Sequence, residues 1–202
     1  CIDWIATNEY KKEDNPDTKS KYKFISKYKH VIKLFGILQN GASICVNIND
    51  YKPYFYIRVN QNTDALTKAK IMNGIKQSLD SKVAEGIIDS KIVTKKDFYG
   101  FNNKKLFTFI KLVFENSYAM SKTSRTLAEG IDINGRNIVF KQYESNITPF
   151  IRYIHNRKIQ ACGWVKINKY TYEINEPKTS TCTIDISIDE ADLHFIEKSE
   201  IS

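Results

Sequence analysis

Residues 143–164 read YESNITPFIRYIHNRKIQACGW, and this run lays down a helix start, an amphipathic helix and the opening of a strand in one piece. Ser145 or Asn146 can cap the N–H groups of a first helical turn, and Pro149 fits that turn because its missing N–H has no partner there. Ile147, Phe150, Ile151 and Ile154 recur at three- and four-residue spacing on one face, leaving Arg152, Asn156 and Arg157 on the other. After a break at residues 158–160, residues 161–167 alternate as a strand does, with Gly163 where a neighbour must approach closely and Trp164 expected in the core.

Working back from this helix, residues 53–142 follow a repeating strand and helix order. A strand over 54–59 leads to a helix that Asp64 can cap, running to about residue 79 with Leu66, Ala69, Met72, Ile75 and Leu79 on one face. Strands over 87–93 and 106–114 come next, then a helix over 117–128 capped by Ser117 and stopped by Gly130, then a short fourth strand over 138–140. The order βαββαβ is that of the ferredoxin-like sandwich, which RNA-recognition modules also use. Because neighbouring side chains on a strand point to opposite sides, Phe55, Ile57, Val59, Leu106, Ile110, Leu112 and Phe114 should face the helices. The opposite side then carries Tyr54, Tyr56, Arg58, Phe107, Phe109 and Lys111, an aromatic platform edged with positive charge.

On either side the chain is β-rich. Residues 7–21 read as an exposed polar loop, residues 30–38 and 43–48 as a hairpin turned by the pair Asn40-Gly41, and Pro53 as the break before the next strand. Residues 170–174 and 181–188 read as strands joined through a turn at 176–178. In the second of these Cys182, Ile184, Ile186 and Ile188 point inward, and Thr181, Thr183, Asp185 and Ser187 outward on an edge strand; residues 189–202 read as a connector. The fold class is α+β. A β-rich, OB-like part takes residues 1–52 and 161–202, a ferredoxin-like or RRM-like βαββαβ part takes 53–142, and a helical segment takes 143–160.

With 42% apolar and 12% aromatic residues over 202, the chain can bury a substantial core. Its 31 basic against 23 acidic side chains, net +8, favour an anionic partner and point first to nucleic acid. No apolar run reaches the roughly 18 to 20 residues that cross a bilayer, and nothing reads as a secretory signal, so no membrane partner is expected. Residue 1 is Cys, and the chain is expected to be cut from something longer. The four cysteines, Cys1, Cys45, Cys162 and Cys182, lack the short paired spacing of a zinc site or disulfide framework, which fits a reducing, intracellular compartment.

For catalysis the residues offer little. His30, His155 and His194 are scattered, and no glycine-rich phosphate loop is present. Two-metal phosphodiester cleavage needs several converging carboxylates, and alternation explains Asp185 instead as an outward residue of an edge strand. The expected catalytic set and metal set of the chain are both empty. The binding candidates are the platform residues, on which bases can stack while cations hold phosphates, with the basic pair Lys104-Lys105 in a loop and Arg152, Arg157 and Lys158 on the exposed helix face.

Three ordered segments carry a family resemblance. Tyr143-Glu144-Ser145-Asn146-Ile147, Pro149-Phe150, Arg152, Arg157, Ile159 and Cys162-Gly163-Trp164 resemble a signature in the N-terminal region of family B DNA polymerases, those similar to polymerase delta and its large-DNA-virus relatives. Asp50-Tyr51-Lys52-Pro53-Tyr54-Phe55-Tyr56-Ile57-Arg58-Val59 and Phe98-Tyr99-Gly100-Phe101-Asn102-Asn103-Lys104-Lys105 resemble the same family in the same order. The resemblance implies a full-length enzyme that copies DNA with magnesium and proofreads by 3′–5′ exonuclease action, in the host nucleus or a cytoplasmic viral replication site if viral. It implies that this portion, itself inert, scaffolds the exonuclease and palm domains and lines the template path. The exonuclease domain is expected after residue 202, and the implied partners are template and primer DNA, those two domains and a processivity factor. The residues alone leave two other readings open: a free-standing single-stranded nucleic-acid-binding module built on the aromatic face, and a structural docking domain.

Overall fold

β6 (Leu106–Phe114) is the strand around which one half of the chain assembles. It pairs antiparallel with β5 (Ile87–Lys96) on one side and β4 (Tyr54–Arg58) on the other, and β4 pairs with β9 (Gln142–Tyr143), giving the order β5-β6-β4-β9. The structure is a computed structural model that describes residues 3–10, 28–96, 105–160, 162–168 and 170–196. It forms two units: one of Cys1–Glu9, Lys29–Tyr51 and Ile147–Ser202, the other of Tyr10–Tyr28 and Lys52–Asn146. Mixed α and β throughout, it is mostly strands with few helices.

In the second unit, α1 (Ala65–Gln77) and α3 (Ser117–Glu129) supply Met72, Ile75, Ala119, Met120 and Leu127 to a core with Phe55, Ile57, Ile110, Leu112 and Phe114. Each large apolar side chain buried there stabilises the unit by about 1.5–3 kcal/mol. The sheet face expected to meet the helices does so, except that Leu106, at the open end of β6, is 51% exposed. Asp64 caps α1 by accepting from the Thr67 N–H at 2.8 Å. On α1 the expected face is corrected at its start, since Leu66 is 64% exposed and Ala69 is exposed too. Three-residue steps fall about 60° short of a full turn, so a face drawn by such steps drifts away from Ile75.

The cap of α3 is Asn116 and not Ser117: its Oδ1 accepts from the Ala119 N–H at 3.0 Å from an extended backbone (φ −149°, ψ 167°), while Ser117 is already helical. The short helix α2 (Ser81–Glu85) was not expected. The fourth strand is also displaced. Ile138 belongs to a small hairpin of β7 (Ile131–Ile133) and β8 (Arg136–Ile138), turned at Asn134 and Gly135, both with positive φ, and the strand that completes the sheet is β9.

The first unit holds a five-stranded sheet. β3 (Ser43–Asn49) lies antiparallel to β2 (Tyr28–Ile37) and parallel to β12 (Ile184–Asp189). With β11 (Tyr172–Ile174) beyond β12, and β1 (Asp3–Tyr10) beyond β2, the order is β1-β2-β3-β12-β11. A second, two-stranded sheet joins β10 (Trp164–Ile167) to β13 (Leu193–Ile196). One face of the large sheet, with Ile32, Leu34, Val46, Ile48, Ile186 and Ile188, packs with Tyr153 and Ile154 of α4 (Pro149–Arg157).

Several expectations change here. Residues 7–10 belong to β1 and not to a loop, and the rest of that loop, 11–21, lies outside the described residues. The hairpin at Asn40-Gly41 closes with three residues: Leu38 donates to Ala42 O, Gly41 donates to Leu38 O, and Gly41 alone takes a positive φ. Residues 189–202 are more than a connector, because β13 pairs with β10 and buries Leu193. β12 is interior to the sheet, so Asp185 is not an edge residue and is 1% exposed. Trp164, expected in the core, is 47% exposed.

On α4 the first residue is Pro149 and the N-cap is Thr148, not Ser145 or Asn146. Its inner face is turned relative to expectation: Phe150, Tyr153 and Ile154 pack inward, while Ile151 is exposed. Arg152, expected on an exposed face, is 5% exposed. Gly163 sits where an added Cβ would come 2.9 Å from Phe195 Cε2, so the close approach read from sequence is between β10 and β13.

Candidate nucleic-acid interface

Alternation along β4 and β6 puts Tyr54, Tyr56 and Arg58 on the same side as Phe107, Phe109 and Lys111, opposite the helices. The register fixes their rows: Tyr56 is opposite Lys111 and Arg58 opposite Phe109, with β5 adding Lys91 beside Lys111, Val93 beside Phe109 and Lys95 beside Phe107. On the other edge Tyr143 of β9 lies opposite Tyr56. Tyr56, Phe107 and Phe109 are buried in one cluster, with Tyr54, Val93 and Tyr143 against it. Their rings meet edge to face, Tyr54 with Tyr56 at 5.6 Å and Phe109 with Tyr143 at 5.1 Å between centroids, the arrangement that ring quadrupoles favour.

Cations cover these rings. Arg58 Cζ stands 4.0 Å over the centroid of Phe107 and Lys111 Nζ 3.8 Å over Tyr54, each a diagonal neighbour across β4 and β6. Lys95 Nζ stands 4.1 Å over Tyr56 and donates to its hydroxyl at 2.7 Å, Lys141 Nζ is 5.1 Å over Tyr143, and Lys105 Nζ is 5.8 Å from Phe107. Lys95, Lys105 and Lys141 are exposed, and Arg58 and Lys111 half-buried. The face is therefore a layer of rings under a layer of positive charge, with the aliphatic stems lying on the aromatic surface. Such a layer attracts anions without requiring any base-specific donor or acceptor. Asp89, at one end and 3.2 Å from Lys91, is the acid within the same alternation.

Of the ten candidate residues, seven come together here: Tyr54, Tyr56, Arg58, Lys105, Phe107, Phe109 and Lys111. Lys104 lies outside the described residues. Arg152 and Arg157 are elsewhere, on α4. Arg152 is buried, and Arg157 is corrected from a solvated surface to a backbone clamp, since its Nη2 donates to Ala191 O at 2.6 Å. Sequence reasoning misses Lys91, Lys95, Lys141 and Tyr143. The alternation of β5, carried two residues past Val93, reaches Lys95; Tyr143 is hidden because the sequence pattern groups it with the helix that follows.

The buried carboxylate of Asp185 is the other polar centre. Asn47 Nδ2 and Asn175 Nδ2 each donate to one of its oxygens at 2.7 Å, and the Thr179 N–H and hydroxyl donate to the other at 2.8 and 3.0 Å. Burial pushes its carboxyl up, but hydrogen bonds from Asn175, Ser180 and Thr179 outweigh that and hold it below the usual carboxylate range. Both oxygens are thus taken by donors, a setting that does not suit a magnesium ion, which needs open oxygen lone pairs. Among the described residues no group of three or more His, Cys, Asp or Glu side chains converges as a metal centre requires. Cys45, Cys162 and Cys182 are free thiols. No helix among the described residues is long and apolar enough to cross a membrane.

Comparison with known proteins gives consistent matches. The family model described as the exonuclease domain of family B DNA polymerases matches residues 140–201, which starts upstream of the boundary expected after 202. A DNA polymerase of Pyramimonas orientalis virus is 32% identical over 189 residues, covering 92% of this chain and 15% of the relative. A DNA polymerase of Acanthamoeba polyphaga mimivirus is 31% identical, covering 82% and 10%. The DNA polymerase delta catalytic subunit of Caenorhabditis elegans is 27% identical, covering 78% and 16%. The chain therefore spans at most about a sixth of these relatives' length. Among solved structures, the family B DNA polymerase of Pyrobaculum calidifontis shares the fold with a TM-score of 0.58 at 15% identity, over 91% of this chain and 19% of that one. Taken with the three ordered segments in the sequence, these matches show that the chain belongs with the N-terminal region of the family B DNA polymerases.

Proposed function

We propose that this chain is a non-catalytic part of a replicative DNA-directed DNA polymerase and serves that enzyme inside the cell by lining the path of the template strand and scaffolding the exonuclease and palm domains. The observation that carries the reading is the cation-covered aromatic face, because a strand that must slide needs attraction to its backbone without base recognition. The strand order of the second unit supports a ferredoxin-like sandwich, and the sheets of the first an OB-like part; the exonuclease-domain match over residues 140–201 overlaps the helical segment and the second β-rich stretch set out from the sequence. Magnesium is the cofactor expected for the parent enzyme. A free-standing binding module is disfavoured, since the relatives run far beyond the matched segment.

Two measurements test this. The reading frame beyond residue 202 is expected to encode a strand bearing Asp-x-Glu and then a polymerase domain; a stop codon or an unrelated domain would overturn the proposal. The 202-residue chain with magnesium is expected to release no nucleotides from single-stranded DNA, and release at a rate abolished by Asp185→Asn would contradict it.

A further inference from the structure

The face that sequence reasoning offers as a stacking platform has its rings already occupied. The cations over Phe107, Tyr56 and Tyr54 stand 4.0, 4.1 and 3.8 Å from the ring centroids. A nucleobase stacks at about the same height over a ring as these cations occupy, so base and cation compete for one site. Tyr56, Phe107 and Phe109 are also buried, with Tyr56 and Phe109 edge to face, which leaves little ring surface for a base even when a lysine swings away. The cationic residues, by contrast, are open to solvent: Lys95 and Lys105 are exposed, and so is Lys91 on β5.

We propose that the rings are seats for cations, and that the ligand of this face is the sugar–phosphate backbone of a single nucleic-acid strand, held through its phosphates with the bases unread. This rests on the template-path reading and specifies its chemistry. Three features carry it. The charge is complementary to a polyanion: Arg58, Lys91, Lys95, Lys105, Lys111 and Lys141 share the face, against Asp89. The strand spacing of about 4.8 Å sets these cations in rows, comparable to the several ångströms between successive phosphates of an extended strand. A lysine or arginine resting on a ring keeps fewer rotamers than a free one, so less freedom is lost when a phosphate binds. Tyr54, Tyr56 and Phe107 are then positioning residues that act through the cations above them.

The experiment compares a natural single strand with an abasic strand of the same length, each labelled at one end, binding to the 202-residue chain across a salt series. Phosphate-only binding predicts affinities within about threefold of each other and equal salt slopes. Stacking predicts an abasic strand bound about tenfold more weakly or worse for each missing base, and that result overturns the inference while leaving the template-path reading intact. Binding of neither strand at low salt overturns both. Phe107→Leu keeps an apolar side chain in place but removes the ring under Arg58. It is expected to lower the salt slope by about 0.7 for both strands, at a thermal midpoint followed in parallel. An unchanged slope, or a loss confined to the natural strand, would contradict the seating role. Lys105→Gln, at an exposed position, gives the same readout without touching the core, with an expected slope loss of about 0.7 and an unchanged slope counting against the proposal.

Discussion

Asp185 shows how far a single position can be read before its neighbours are known. Alternation correctly separates Asp185 from Ile184 and Ile186, but it cannot show that Thr179 and Asn175 return over that side and bury it. Its folded-state pKa lies below the ordinary value, so its contribution to stability is present above about pH 4 and is lost as pH falls through the lower, folded value. Asp185→Asn is expected to cost about 2 kcal/mol at pH 7, because a charged acceptor of several hydrogen bonds becomes a neutral one that also brings donors, and less at pH 3. Urea unfolding at the two pH values checks this. Asp189 has the opposite sign: its hydrogen bond with Asp50, then burial and the Asp50 charge, raise its pKa. Its contribution therefore falls as pH rises through the raised value, and Asp189→Asn is expected to raise the urea midpoint at pH 7 more than at pH 4.

At the scale of elements, the two Asn-Gly pairs that lie between strands are instructive because the same dipeptide turns the chain in two ways there, while a third, Asn73-Gly74, lies within α1. Asn134-Gly135 has both residues at positive φ in a two-residue turn, whereas at Asn40-Gly41 only Gly41 does, and the loop takes three residues. Between strands the dipeptide announces a reversal, but the strands on either side decide its length. Strands with long alternation are legible to within a residue or two, as β6 is; helix faces are legible only where several spacings agree. The start of α1 and the rotation of α4 escape the sequence because a short amphipathic pattern admits neighbouring arcs, and the neighbours choose among them. Caps follow the same logic. Asn116→Ala is expected to cost about 1 kcal/mol, since it removes the acceptor of the Ala119 N–H, while Ser117→Ala costs at most a few tenths; thermal unfolding of the two variants separates them.

For the whole molecule, the basic excess of +8 says only that an anion is favoured; the folded sheet gathers part of that charge on one face. Tyr54, Tyr56, Phe107 and Phe109 are legible as one side of a sheet because alternation is local. Lys95, Lys141 and Tyr143 are not, because their membership depends on how β5 and β9 pair with β6 and β4. The cations over the rings are hidden for the same reason: a sequence shows an aromatic residue, not the lysine lying over it. The central claim is that this cationic layer holds a nucleic-acid strand by its phosphates. It is tested most directly by the salt dependence of single-stranded DNA binding to the 202-residue chain and to its Lys95→Gln, Lys105→Gln, Lys111→Gln triple variant, both shown to be folded by circular dichroism. The account expects the slope of log affinity against log salt to fall by about two in the variant, at about 0.7 for each phosphate no longer neutralised. An unchanged slope in a folded variant would contradict it.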